Sequence, residues 1–134
     1  MASIRKVIPV GAGPQEAWEA LADFAAVHER VAAGFVTGVR LDGGDRIVTF
    51  ANGAEAQERL VSADGDARRL VYTVVRSSLG FTHHQASVEV VDGESGGEGC
   101  RLVWLTDALP DEVAPIVDGL MDAGAAAIAR TLAG

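Results

Sequence analysis

Four residues in this chain combine reactive chemistry with a telling setting: the adjacent His83 and His84, the single cysteine Cys100, and Glu58, a carboxylate among apolar neighbours. Spacing decides what each could do. Neighbouring residues of a strand point to opposite faces, so His83 and His84 cannot chelate one ion, and no H-x-x-x-H spacing exists to build a metal site. For Cys100 a nucleophilic role is not expected. Gly11-x-Gly13 runs into Pro14 and Glu16 where a dinucleotide fingerprint would continue to its third glycine; it reads as a turn. What remains is proton transfer and hydrogen bonding. A carboxyl withdrawn from water acquires a raised pKa, and an imidazole titrates near neutrality, which makes Glu58 and His84 the candidate catalytic residues. Each has a structural alternative. Glu58 could bond to Tyr72 or pair with an arginine, and His84 could be a satisfied core histidine. Arg76 could grip a ligand carboxylate or carbonyl, or snorkel out at a strand end.

These residues need elements to hold them. Ser3 to Val10 alternates well enough for a strand, and Gly11-Ala12-Gly13-Pro14 ends it, with Pro14 suited to the first turn of a helix. Ala17, Trp18, Leu21, Ala22 and Phe24 follow at helical spacing, and a second short helical piece covers Ala25 to Val31. From Phe35 the pattern becomes strands divided by turn chemistry: 35–41, 46–50, 55–61, 69–76, 82–91 and 101–106. Asn52-Gly53 is the strongest hairpin signal among the turns. A glycine-rich connection, Gly93–Gly99, is expected to be flexible. The last segment, Asp111 to Ala133, places Val113, Ile116, Val117, Leu120, Met121, Gly124, Ile128 and Leu132 on one face of a long amphipathic helix. Pro115 is harmless only in its first turn.

One physical solution to this order is an α+β fold: a curved antiparallel sheet of about seven strands wrapped around the terminal helix, with two short helices after the first strand. Such packing tends to leave a cavity. Alternation sorts the faces. His84, Ala86, Val88 and Val90 should point inward, opposite the wholly polar set His83, Gln85, Ser87 and Glu89. Leu70, Tyr72, Val74 and Arg76 form a second inward set, Ala56, Glu58 and Leu60 a third, and Leu102, Trp104 and Thr106 a fourth. Simple hairpin registers would set Glu58 beside Tyr72 and Val88, Ala86 beside Trp104, and His84 beside Arg76 and Thr106. Phe81, with Val117 and Met121 on the helix face, completes the expected ligand-binding lining. Tyr72, Phe81, Trp104 and Trp18 are core residues first and stacking surfaces second.

Composition bounds the rest. One domain over 1–134 fits the length, and 49% apolar residues with only 5% aromatic make the hydrophobicity one of Ala, Val and Leu. Nineteen acidic groups face eleven basic ones, a net charge of −8, which argues against nucleic acid and against an anionic membrane surface as partners. No apolar run reaches membrane-span length and no signal peptide opens the chain, so a reducing cytoplasm is the expected compartment. Outward Val71, Val75, Val103 and Leu105 hint at a covered sheet face and hence a homodimer.

Several segments together resemble one superfamily: Pro14-Gln-Glu-Ala-Trp18 with Leu21-Ala-Asp-Phe24, Gly53-Ala-Glu-Ala-Gln-Glu-Arg-Leu60 before Asp64, Arg69-Leu-Val-Tyr72, His83-His84-Gln-Ala86, and Leu102-Val-Trp104 leading into Leu109-Pro-Asp-Glu112. The chain resembles the SRPBCC (START-like, birch-pollen-allergen-like) superfamily, in its polyketide cyclase/dehydrase branch. The resemblance implies the helix-grip fold and binding of a small hydrophobic or aromatic molecule, polyketide- or lipid-like, in an internal cavity. If catalytic, it implies cyclisation, dehydration or aromatisation by acid–base chemistry, with no cofactor. Glu58 or His84 would move the proton, Tyr72 would hydrogen-bond an enolate oxygen, and Arg76 would hold the polar end. The alternative is a non-catalytic carrier or sensor, or a protein-interaction module. Fold analogy does not choose among these.

Overall fold

The computed structural model describes residues 2–93 and 99–134. Strand β1 (Ala2–Val10) leads into helix α1 (Pro14–Ala22), a 3-10 turn (Phe24–Ala26) and the single-turn helix α2 (Val27–Arg30). Six strands follow: β2 (Val36–Asp42), β3 (Asp45–Phe50), β4 (Glu55–Asp64), β5 (Arg69–Ser77), β6 (His83–Asp92) and β7 (Cys100–Leu109). A 3-10 turn (Asp111–Val113) then starts helix α3 (Ala114–Thr131), with Pro115 in its first turn, where no intrahelical hydrogen bond is lost. All strand pairs are antiparallel, in the order β1-β7-β6-β5-β4-β3-β2. This is the helix-grip arrangement: a curved sheet with a long C-terminal helix and two short helices after the first strand. The expected glycine-rich Gly93–Gly99 connection lies, between its end residues, outside the described residues.

The face of α3 toward the sheet carries Val117, Met121, Gly124, Ala127 and Ile128, all buried. Ile116 was expected on that face but stands at its margin, 52% exposed. Lys6 of β1 reaches Asp118 (2.6 Å) and Asp122 (2.8 Å), one turn apart on α3, and ties the helix to that edge of the sheet. The backbone N–H of Ala12 donates to the Leu132 carbonyl (2.9 Å), fixing the far end of the helix beside the start of α1. The buried apolar residues separate into two clusters, one around Ile8, Trp18, Leu70 and Leu102, the other around Ala108, Val113, Val117 and Met121. Trp104 packs against both.

Most faces fall as alternation predicts, but the rows do not. Tyr72 sits opposite Ala86, which sits opposite Thr106; Val88 faces Trp104, and His84 faces Ala108. The β5–β6 and β6–β7 hairpins are each offset by two residues from the simple register, which leaves the side chains of β6 and β7 on their expected faces. A one-residue irregularity has a larger effect. Gln57 pairs with Arg76 while its neighbour Glu58 pairs with Val74, so Val75 is an extra residue in β5. A bulge inverts the phase beyond it. Arg76 therefore shares the outer face with Gln57 and is exposed, a correction to its expected inward position, and Ser77 turns inward in its place. A second bulge between Leu60 and Ser62 accompanies a Leu60 that stays 39% exposed and does not line the cavity. Of the four outward apolar residues, Val71 is buried within the protein itself, while Val75 is exposed.

Candidate functional site

Helix α3 and the sheet do not close on each other. Between them lies a cavity of about 140 Å³, capped at one end by Leu21, Val27 and Val31 of the short helical segments. An apolar cavity of roughly 150 Å³ accommodates benzene, which sets the scale at one aromatic ring. Glu58, Tyr72, Phe81, His84, Trp104, Thr106, Val117 and Met121, all expected on the wall, line it; Arg76 does not. Trp104 can lie along the helix because position 124 is glycine. A Cβ there would sit 3.0 Å from two carbons of the indole.

The wall also holds a residue that sequence reasoning missed, Arg46. Its Nε donates to Glu58 Oε1 at 2.8 Å, and both side chains are almost fully withdrawn from solvent, at 6% and 10% exposure. The Asn52-Gly53 turn sets this contact. Phe50 N–H donates to the Ala54 carbonyl to close the turn, and the register that follows puts Arg46 directly across from Glu58. The inward alternation of Val48 and Phe50 on β3 was the available signal for Arg46. The guanidinium is further held by Nη1–H donating to the Phe24 carbonyl (2.9 Å), with its carbon 3.8 Å from the Phe24 ring centroid and 5.3 Å from that of Tyr72. Hydrogen bonds and aromatic faces together replace the water that both charges lost. Glu58 thus takes the arginine-paired form of its structural alternative.

Beside the pair, the Trp104 indole N–H donates to the Tyr72 hydroxyl oxygen at 3.2 Å. That bond fills an acceptor position and turns the phenolic O–H away from the indole. Burial, reinforced by the Glu58 charge, raises the Tyr72 pKa well above the usual tyrosine range, so the hydroxyl keeps its proton. His84 is equally fixed. The backbone N–H of Val74 donates to its Nδ1 (3.0 Å), which assigns the ring proton to Nε2. Burial, followed by the neighbouring His83, lowers its pKa to about 4. A second proton would also have to displace the Val74 donor. His84 is therefore a neutral hydrogen-bond donor. With Nδ1 occupied and Nε2 already protonated, it is poorly suited to act as a base. Ser77 Oγ accepts from the Leu79 N–H (3.1 Å) and adds a hydroxyl to the same wall.

A family model described as polyketide cyclase / dehydrase and lipid transport matches residues 1–133. The chain belongs to this family. Several solved structures are similar to this member of the polyketide cyclase / dehydrase and lipid transport family. A protein from Thermobifida fusca, solved in solution, is 30% identical, covering 99% of this chain and 91% of its own, with a TM-score of 0.78. Norcoclaurine synthase from Thalictrum flavum, solved with dopamine and hydroxybenzaldehyde, is 21% identical over 96% of this chain and 84% of its own, with a TM-score of 0.71. A START superfamily protein from Mycobacterium smegmatis is 12% identical over 98% and 94%, with a TM-score of 0.72. At such identities the last two show the shared fold. No curated protein matches. Among the described residues, no group of three His, Cys, Asp or Glu side chains is placed to hold a metal, and no helix is long and apolar enough to cross a membrane.

Two outcomes follow for variants of this polyketide cyclase family member. Glu58→Ala leaves Arg46 buried without its counter-charge and should cost about 3–5 kcal/mol in urea unfolding, whereas Arg46→Met with Glu58→Met should cost little or even stabilise. For His84, the folded pKa lies below the unfolded value near 6.5, so the unfolded chain takes the proton first as pH falls. Its contribution is intact above pH 6.5 and lost toward pH 4, amounting to about 2 kcal/mol between pH 7 and pH 5. His84→Asn, which keeps an acceptor near Nδ1, should flatten that part of the stability profile.

Proposed function

We infer that this protein binds a small, largely apolar molecule, about one aromatic ring in bulk, with an oxygen-bearing end among Tyr72, His84 and Glu58. The observation that carries this reading is the composition of one wall: a ring-sized apolar cavity into which two fixed hydrogen-bond donors and one ion pair intrude. A side chain whose only task was stability would not be expected here, since an apolar pair of similar volume would hold β3 to β4 at least as well. Membership of the family supports small-molecule binding in general terms, and the cavity supports the size and polarity of the guest. The lone Cys100, buried in β7, suits a reducing cytoplasm.

Within this reading, chemistry rests on Glu58. It is the one group on the wall that could accept a proton, through Oε2, with Oε1 held by Arg46. Tyr72 O–H and His84 Nε2–H would stabilise an enolate or carbonyl oxygen as hydrogen-bond donors. Cyclisation or dehydration of a short, flexible ketone is chemistry of this kind. The non-catalytic alternative, a carrier or sensor, is favoured by one feature: the pairing that holds Glu58 to Arg46 also restrains it as a base.

Thermal unfolding against a panel of single-ring compounds tests the binding claim. A true ligand at a hundred times its dissociation constant should raise the Tm by on the order of 10 °C. No shift across the panel, together with no molecule retained by protein from its own host in native mass spectrometry, contradicts it. Where a bound compound is turned over, Glu58→Gln should lower kcat by about 10²–10⁴ while binding persists. Unchanged turnover removes Glu58 from the mechanism.

A further inference from the structure

The charges on the cavity wall restrict the ligand further, an argument that rests on the small-molecule reading above. Arg46, Glu58 and His84 are the ionisable lining groups other than Tyr72. The single permanent cation, Arg46, is not available to a guest as net charge. Its Nε is bonded to Glu58, its Nη1 to the Phe24 carbonyl, and its carbon lies against the Phe24 ring. The wall is thus neutral as a whole, with Glu58 cancelling Arg46. His84 adds no charge near neutral pH, because Val74 N–H occupies Nδ1. Arg76, which the strand pattern suggested as an anion grip, is outside the cavity.

Protons are what the wall does offer. Trp104 N–H fills an acceptor position on Tyr72, and the Val74 N–H fills the acceptor on His84, so each presents its remaining hydrogen. We propose that the cavity selects an uncharged ligand oxygen, of the ketone, aldehyde or amide kind, and discriminates against a carboxylate of the same shape. A neutral oxygen needs donors alone. A carboxylate would bring a second negative charge toward Glu58, with no unpaired cation on the wall to neutralise it. This sets the protein apart from a carrier of ionised fatty or aromatic acids.

Benzamide and benzoate are nearly isosteric single rings that differ in charge at pH 7. Titrating each into the whole protein, followed by ¹H–¹⁵N NMR, should show benzamide binding at least about ten-fold more tightly, equivalent to about 1.4 kcal/mol. Benzoate binding as tightly as benzamide, or more so, overturns the proposal. So does binding of toluene with neither oxygenated ring binding, although the small-molecule reading then survives. If toluene fails as well, both fall. Glu58→Gln, if it folds, leaves the Arg46 charge uncompensated and should move the ratio toward benzoate by about ten-fold, again about 1.4 kcal/mol. An unchanged ratio in a folded variant would count against the wall-charge argument.

Discussion

A buried ion pair between neighbouring strands organises the candidate site. Arg46 and Glu58 have both left water, a state sustained by their mutual bond and by whatever else satisfies the guanidinium. The rest is supplied by the segment between α1 and α2, through the Phe24 carbonyl and ring. One side chain of β3 thereby fixes a strand partner, the short helical cap and the position of the Tyr72 ring. From Tyr72 the contacts continue through its hydroxyl to Trp104, and from Trp104 to the bare backbone of α3 at Gly124. Sheet, cap and helix meet along a single line of contacts, and the cavity lies beside it.

The hollow between helix and sheet has a corresponding origin. Helix α3 is tied to β1 by Lys6 with Asp118 and Asp122, and at its other end to Ala12. Across the middle, small inward side chains such as Ala56, Ala86 and Val88 face it, and Trp104 bridges the two clusters. Close packing is the rule in protein interiors, so a ring-sized void lined by apolar groups forgoes dispersion contacts that a guest can restore. Five of the chain's seven aromatic residues, Phe35, Phe50, Tyr72, Phe81 and Trp104, line this space.

Much of this was legible in the sequence. The order of elements, the turn at Asn52-Gly53 and the sidedness of β6 follow from periods of two and 3.6, which depend on local geometry alone. Pairing registers are not local. The β5–β6 and β6–β7 hairpins settled two residues from their simplest registers, a slip that faces tolerate and that alternation cannot detect. The bulge at Val75 changed more, since one extra residue moved Arg76 from the supposed binding end to solvent and brought in Ser77. Arg46 escaped notice because a charged residue at the start of a strand beside a turn reads as surface. Its phase with Val48 and Phe50 was the one sequence signal for an inward side chain, and its register with Glu58 brings the pair together. His84 was placed correctly, but its protonation depends on the Val74 N–H of the adjacent strand, which no reading of its own strand could supply.

If the cavity wall offers protons without net charge, His84 reports on it most directly. Long-range ¹H–¹⁵N correlation of the imidazole nitrogens, followed from pH 8 to pH 5, reads both tautomer and charge in the intact protein. The structure predicts a ring fixed as the Nε2–H form, titrating only toward pH 4, with an Nε2–H signal that moves when a ring-sized ligand enters. A proton on Nδ1, or a titration centred near the ordinary histidine value of about 6.5, would contradict it.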